Sequence, residues 1–261
     1  METESKNNEI WRKFLTGEMH DINKVRQFFS YLPSSPRCVV CNAPFGGIGG
    51  PVMRFIYKKV PSRRNPKFCN ICERLAQDNP GGAEVELTMM FADVRGSTIL
   101  GESLAPAEFR KQLNRFYKIA SDALVRTDAM IDKLVGDEVI GLYIVGIAGS
   151  DHAKKALSAA REILAKTGHD SGEHPWLPVG VGIHTGTAFV GAIGSEEHFT
   201  DMTALGDAMN TAARIVGAAG PGEILMSEEA YRSAGISEKF EERSLVLKGK
   251  AESVPVRVIK I

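Results

Sequence analysis

The chain has 261 residues, 43% of them apolar, with 32 basic and 32 acidic side chains and a formal net charge of zero. That is enough for one large or two smaller domains with a proper core, and the balanced charge gives no electrostatic argument for nucleic acid or an acidic membrane as partner. No apolar run approaches the ~18 residues of a membrane-crossing helix, and Met1-Glu2-Thr3-Glu4-Ser5-Lys6 lacks the apolar stretch of a signal peptide. A cytoplasmic protein is expected, with no nucleic-acid and no membrane partner.

Residues 6–32 set Trp11, Leu15, Met19, Ile22, Val25, Phe29 and Leu32 at helical spacing. Gly17 is expected to break this stretch and Asp21 to cap a second short helix. The apolar stripe either docks on its own domain or pairs with a second copy; it is too short to specify which. Residues 33–82 are rich in Pro, Gly, Arg and Cys, with Phe45-Gly46-Gly47-Ile48-Gly49-Gly50-Pro51 read as a loop and Asn79-Pro80-Gly81-Gly82 as a linker. This divides the chain into a segment 1–82 and a domain 83–261.

All four cysteines fall in the first segment, as Cys38-x-x-Cys41 and Cys69-x-x-Cys72 with 27 residues between the pairs. Four thiolates suit a closed, tetrahedral, structural zinc site; an iron–sulfur or redox site, or unmetallated thiols, are the alternatives. Such an ion would staple a segment too Gly/Pro-rich to build its own core. The basic stretch Lys58, Lys59, Arg63, Arg64 and Lys67 reads as a solvated loop rather than a nucleic-acid site, because few aromatics interleave with it.

From Glu84 the texture changes. Val85–Phe91 reads as a buried strand ending at Asp93, and Pro106–Met130 as a helix with proline in its first turn. Ile131–Val135 and Val139–Val145 form a hairpin around Gly136-Asp137, followed by a helix over Asp151–Lys166. Val179–His184 and Ala188–Ile193 read as two strands around His184-Thr185-Gly186. Asp207 is expected to cap a helix running to about Ala218, stopped by Gly220-Pro221-Gly222. A short helix near Ser227–Ser233 and strands near Phe240–Leu247 and Val254–Ile261 close the chain. This order predicts an α+β sandwich, helices packed on a largely antiparallel sheet.

Chemistry concentrates at the turns. Asp93 opens into Gly96-Ser97-Thr98, where glycine and free N–H groups suit a phosphate. Asp137 sits at the hairpin tip, so two strand-end carboxylates point to hard cations such as magnesium. Asn210 and Arg214, four apart on one helix face, add a fixed guanidinium fork for phosphate charge.

With FADVRGST, DKLVGDEV, VGVGIHTG, TALGDAMNTAAR and Leu247-Lys248-Gly249-Lys250 in that order, residues 84–261 resemble the catalytic domain of class III adenylate/guanylate cyclases. The resemblance implies a ferredoxin-like βαββαβ sandwich and conversion of a nucleoside triphosphate to a cyclic nucleotide. It also implies roles by position. Asp93, Asp137 and the Val94 carbonyl would hold two Mg²⁺ or Mn²⁺ ions per active site. Gly96, Ser97, Thr98 and Lys248 would bind phosphates, Asn210 would orient the ribose, and Arg214 would stabilise the transition state. Lys133 and Thr203 would read the base, and a Lys donor with a Thr oxygen complements the N1 and N6 edge of adenine. ATP is therefore the expected substrate, with GTP, another triphosphate, or a catalytically silent nucleotide-binding module as alternatives. In the family the aspartates of one subunit meet the base-reading, ribose and arginine residues of the other, which implies a head-to-tail homodimer with active sites at the interface. One departure is Thr187, where some relatives place a phosphate-contacting Arg.

Overall fold

The computed structural model describes residues 2–32, 36–62, 68–172, 174–195, 199–247 and 252–261. Lys248, and Arg63, Arg64 and Lys67 of the basic stretch, lie outside the described residues. The chain packs as two compact units, one of Met1–Val85 with Phe189–Ala204 and the other of Glu86–Ala188 with Leu205–Ile261.

The first unit opens with α1 (Glu2–Leu15) and α2 (His20–Ser30), separated by Gly17 in the left-handed region at φ 81°. Asp21 lies in the first turn of α2, but the cap position is Met19, which makes no side-chain cap bond. Trp11, Phe14 and Leu15 are buried, and the Trp11 indole N–H donates to Asn79 O at 2.8 Å, tying α1 to the chain before the next strand. The glycine-rich stretch read as a loop enters a helix, α3 (Gly49–Phe55). Gly50 permits it, since a Cβ there would lie 2.6 Å from Phe45 O. A further helix, α4 (Asn70–Asp78), starts on Cys69, whose sulfur accepts from Cys72 N–H.

The long strand β1 (Gly82–Val94) leads into α5 (Ser97–Ser103), α6 (Pro106–Arg126), β2 (Met130–Val135), β3 (Glu138–Ile144), α7 (Val145–Ala148) and α8 (His152–Thr167). Then β4 (Val179–Ser195) runs through His184-Thr185-Gly186 as one strand rather than two. Those residues stay extended because their side chains are held inside the sheet: His184 Nδ1 lies 2.9 Å from Ser227 Oγ, and Thr185 Oγ1 lies 2.6 Å from Thr88 Oγ1. The remainder is β5 (Phe199–Leu205), α9 (Asp207–Gly217), β6 (Glu223–Ser227), α10 (Glu228–Ala234), β7 (Glu241–Leu245) and β8 (Val254–Lys260).

The sheet order is β2-β3-β1-β4-β6-β8-β7, with β5 paired to β4. The order β1–α6–β2–β3–α8–β4 is the βαββαβ arrangement, and only β4–β6 pairs in parallel among the registered pairs. Helices α6 and α8 bury Phe116, Leu124, Ile163 and Leu164 against Met90, Tyr143, Val181, Ile224 and Met226 of the sheet. Leu225, between Ile224 and Met226, packs instead with Ile215 and Ala219 beside β7 and β8. Successive strand residues face opposite sides, so α9 lies on the sheet face away from α6 and α8. Gly182 allows it to close in, since a Cβ there would stand 2.5 Å from Val216 N.

Candidate active site and cysteine cluster

Strands β1 and β3 pair from Leu87↔Ile144 to Asp93↔Glu138, so Asp93, next to last in β1, lies directly opposite the start of β3. Val94 N–H donates to Asp137 O at 3.2 Å, which closes the pairing at the hairpin tip. The two predicted carboxylates therefore come from adjacent strands at one end of the sheet. The tip turns through Gly136 at φ 63°, a conformation that favours glycine. The Tyr117 hydroxyl of α6 donates to Gly136 O and holds the tip; burial, then the charge of Asp137, raises the pKa of that tyrosine. Gly96, also left-handed, turns the chain into α5, so Ser97 and Thr98 begin a helix just beyond Asp93.

Arg95 was absent from the predicted site. Its guanidinium pairs with the Asp93 carboxylate and donates to Val216 O at 3.2 Å and Ala219 O at 3.5 Å. The last carbonyls of a helix have no intrahelical partner and carry the negative end of its dipole. Val216 O also accepts from Ala219 N–H at 3.0 Å; Arg95 adds a second donor there and one to Ala219 O, and so fastens the C-terminal end of α9 to the strand end that bears Asp93. Burial lowers its pKa, while Asp137 and Glu138 oppose that shift. Glu138 is raised by burial and then by Asp137. Asp93, Asp137 and Glu138 thus set carboxylates around the Arg95 guanidinium, and carboxylate oxygens suit hard divalent cations.

On α9, Ala208, Thr211, Ala212, Ile215 and Val216 are buried, which leaves Asn210 exposed and Arg214 half-buried along the outer edge. The helix is capped by Gly206, with Asp207 inside the first turn. Among the described residues, no hydrogen bond or ion pair joins Arg214 to Asp93 or Asp137. Lys133 lies on β2 opposite Ile140 of β3, and the register shifts between Ile131 and Lys133. Asp132 is the extra residue of this bulge; its side chain is fully buried and lies 3.5 Å from Lys133 Nζ, while the Lys133 side chain is 45% exposed. A bulge re-aims the residues that follow it, and here it fixes where the predicted base-reading lysine leaves the sheet. Thr203 is buried on β5, in the first unit, and Thr187 is exposed on β4.

The cysteines converge. Cys38, Cys41, Cys69 and Cys72 are all buried with their sulfurs within 4.8 Å of one another. Cys41 and Cys69 Sγ are 3.8 Å apart; metal–sulfur bonds of ~2.3 Å in a tetrahedron give S···S edges of about 3.8 Å. Cys69 N–H points at Cys38 Sγ (3.3 Å) and Cys72 N–H at Cys69 Sγ (3.4 Å), so backbone donors support charge on sulfur. Lys59 Nζ adds a cation 3.6 Å from Cys41 and 3.7 Å from Cys69. Burial pushes the Cys38 thiol up, and the hydrogen bond from Cys38 pulls Cys41 down to about 7.

The family model for the adenylate and guanylate cyclase catalytic domain matches residues 83–256. The chain belongs to this family. It is 30% identical to an adenylate cyclase of Anabaena cylindrica over 186 residues, which cover 67% of this chain but 36% of that protein. An adenylate cyclase 1 of Rhizobium meliloti is also 30% identical, over 51% of this chain and 20% of its own length. The chain thus spans about a third or less of these relatives. Among solved structures, the guanylyl cyclase Cya2 superposes with a TM-score of 0.60 at 30% identity, covering 68% of this chain and 93% of Cya2. The adenylyl cyclase CyaB of P. aeruginosa gives 0.61 at 27% identity, covering 69% and 96%. The expected fold is the one found, and nucleotide cyclisation is the activity of the family. Among the described residues no helix is long and apolar enough to cross a membrane.

Proposed function

We propose that the chain converts ATP to 3′,5′-cyclic AMP and pyrophosphate, as a cytoplasmic homodimer whose two active sites each draw on both subunits. The observation that carries this is the β1–β3 register, which sets Asp93 and Asp137 side by side beyond a strand pair. These carboxylates and the Val94 carbonyl would hold two Mg²⁺ or Mn²⁺ ions. Bound there, such ions lower the pKa of a hydroxyl and offset triphosphate charge. Arg95 pairs with Asp93, and its bonds to Val216 O and Ala219 O hold the helix that presents Asn210 and Arg214.

In the reaction the ribose 3′-hydroxyl loses its proton to solvent as its oxygen bonds to the α-phosphorus, and the oxygen bridging to the β-phosphate leaves with pyrophosphate. Asn210 orients the ribose. Arg214 donates to the α-phosphate oxygens as charge grows on them. Lys133 donates to adenine N1, and Thr203 accepts from N6. Ser97, Thr98 and the Gly96 backbone contact the phosphates, joined by Lys248. Head-to-tail pairing is supported by the family pattern: Lys133 and Asp137 are only four residues apart on one hairpin, and in the family these two positions serve different active sites. The reading is tested by product formation from ATP, GTP, CTP and UTP with Mg²⁺ and with Mn²⁺, with Asp93→Ala as control. Cyclic AMP from ATP alone, lost in the variant, is the expected result. GTP is the second reading, because the similar solved protein Cya2 is a guanylyl cyclase.

The four cysteines, in a module of residues 1–82 distinct from the catalytic domain of 83–261, would hold a structural Zn²⁺. Their number, burial and spacing support a closed four-sulfur site with no open position.

A further inference from the structure

The zero net charge of the chain hides a segregation. Between Asp21 and Glu73 there is no acidic residue, while nine lysines and arginines fall in that interval. Four thiolates around one divalent ion would still leave the segment strongly positive. Arg26 and Arg37 are committed to backbone carbonyls of the cysteine loops, with Arg26 Nη1 2.7 Å from Val39 O and Arg37 Nη1 3.0 Å from Asn42 O. Lys24, Arg54 and Lys58 are exposed, and none of them pairs with a carboxylate among the described residues.

Large apolar side chains stand exposed in the same segment. Ile48 is 80% exposed, Phe55 70%, Ile56 68% and Phe28 54%. They are connected. The Phe28 and Tyr57 rings are 6.3 Å apart, and Phe55 lines a cleft with Phe45, Pro51, Arg54 and Lys59. Isolated exposed apolar residues are ordinary, but contiguous ones rimmed by charge of one sign mark a docking surface. Apolar groups that enter the headgroup boundary, together with lysines and arginines beside them, are the two signals that hold a peripheral protein on an anionic bilayer.

We propose that the α2 face around Phe28 and the α3 end from Ile48 to Lys58 form a docking surface for an anionic membrane. The phospholipid headgroups face Arg54, Lys58 and Lys24, and Phe55 and Ile56 enter the interface. Nucleic acid shares the charge requirement, but its bases stack on aromatic rings, and the aliphatic Ile48 and Ile56 have no part in that. The proposal is independent of which nucleotide the catalytic domain cyclises.

The test is co-sedimentation of the full chain with vesicles of phosphatidylcholine alone and with about 30% phosphatidylglycerol. Binding at least about tenfold stronger to the anionic vesicles is expected, falling as salt is raised. Arg54→Glu/Lys58→Glu and, separately, Phe55→Ser/Ile56→Ser should each abolish it while cyclase turnover in vesicle-free buffer is kept, which shows the variants are folded. No binding, equal binding to neutral vesicles, or binding that neither variant changes would overturn the proposal. So would an oligonucleotide complex lost in the same variants with no vesicle binding, which would assign the patch to nucleic acid. The salt dependence of the unmodified chain stands as a test whatever the variants do.

Discussion

In the unit of Glu86–Ala188 with Leu205–Ile261, Phe116, Leu124, Ile163 and Leu164 of two long helices are fully buried against a sheet, and the interior is built from alternating strand residues. In the unit of Met1–Val85 with Phe189–Ala204, α3 and α4 are short, and four of the buried side chains are thiols gathered at one point. The first arrangement distributes its stability over many apolar contacts. The second concentrates it at a cluster, and a small, loop-rich segment held by one centre loses its structure when that centre goes. Asp93 and Asp137, the carboxylates proposed to hold the metal ions, belong to the distributed unit, so chemistry and stability should respond to different perturbations in the two.

The sharpest way to break this contrast is at the strand ends. Asp93→Ala and Asp137→Ala should each lower turnover by at least about a thousandfold, with the urea midpoint of the catalytic unit little changed in Asp137→Ala and lowered in Asp93→Ala by no more than the loss of the Arg95 pair, about 1–3 kcal/mol. A comparable loss of folding would mean that the carboxylates are structural. Next in size, chelation or Cys69→Ser should unfold the cysteine unit, read by loss of one bound zinc per chain and by proteolysis within 36–78, while the catalytic unit keeps its own cooperative transition. A single shared transition would contradict the division.

Smaller effects probe how α9 is held. Arg95→Ala leaves the Val216 and Ala219 carbonyls and the Asp93 carboxylate without their common donor, and should cost about 1–3 kcal/mol by urea titration. It should also reduce kcat, because Asn210 and Arg214 ride on that helix. Gly182→Ala pushes a methyl against Val216 N and should destabilise by a similar ~1–3 kcal/mol.

The smallest concerns pH. Burial lowers the pKa of His152 below the usual histidine value of 6.5, and its Nδ1 lies 2.8 Å from the buried Thr88 hydroxyl. The unfolded chain then takes up the proton first, so stability should fall as pH drops below about 6.5, and His152→Gln should flatten that slope.

Much of the catalytic unit was legible because its signals are local. The apolar run before Asp93, the proline at Pro106 and the Gly136-Asp137 turn each declare an element without reference to distant chain. Arg95 was not, since its acceptors lie more than a hundred residues away at the end of α9. Nor was the role of Asp132, because a bulge is a property of two strands in register and not of one sequence. His184-Thr185-Gly186 looks like a turn, yet stays extended because Ser227 and Thr88 hold its side chains. Gly49-Gly50-Pro51 hid α3, because two glycines and a proline lower helix propensity while the close approach to Phe45 requires the small residue.

The central claim, a site completed across two chains by Asp93 of one and Arg214 of the other, is tested most directly by mixing inactive partners. Asp93→Ala and Arg214→Ala chains, each nearly inactive alone, are combined, exchanged and assayed for cyclic AMP. If the sites lie between subunits, half of the dimers are mixed and each keeps one intact site, so activity should return to about a quarter of the unmodified level. No recovery, with exchange of subunits demonstrated, would place both residues in one chain's site and contradict the account.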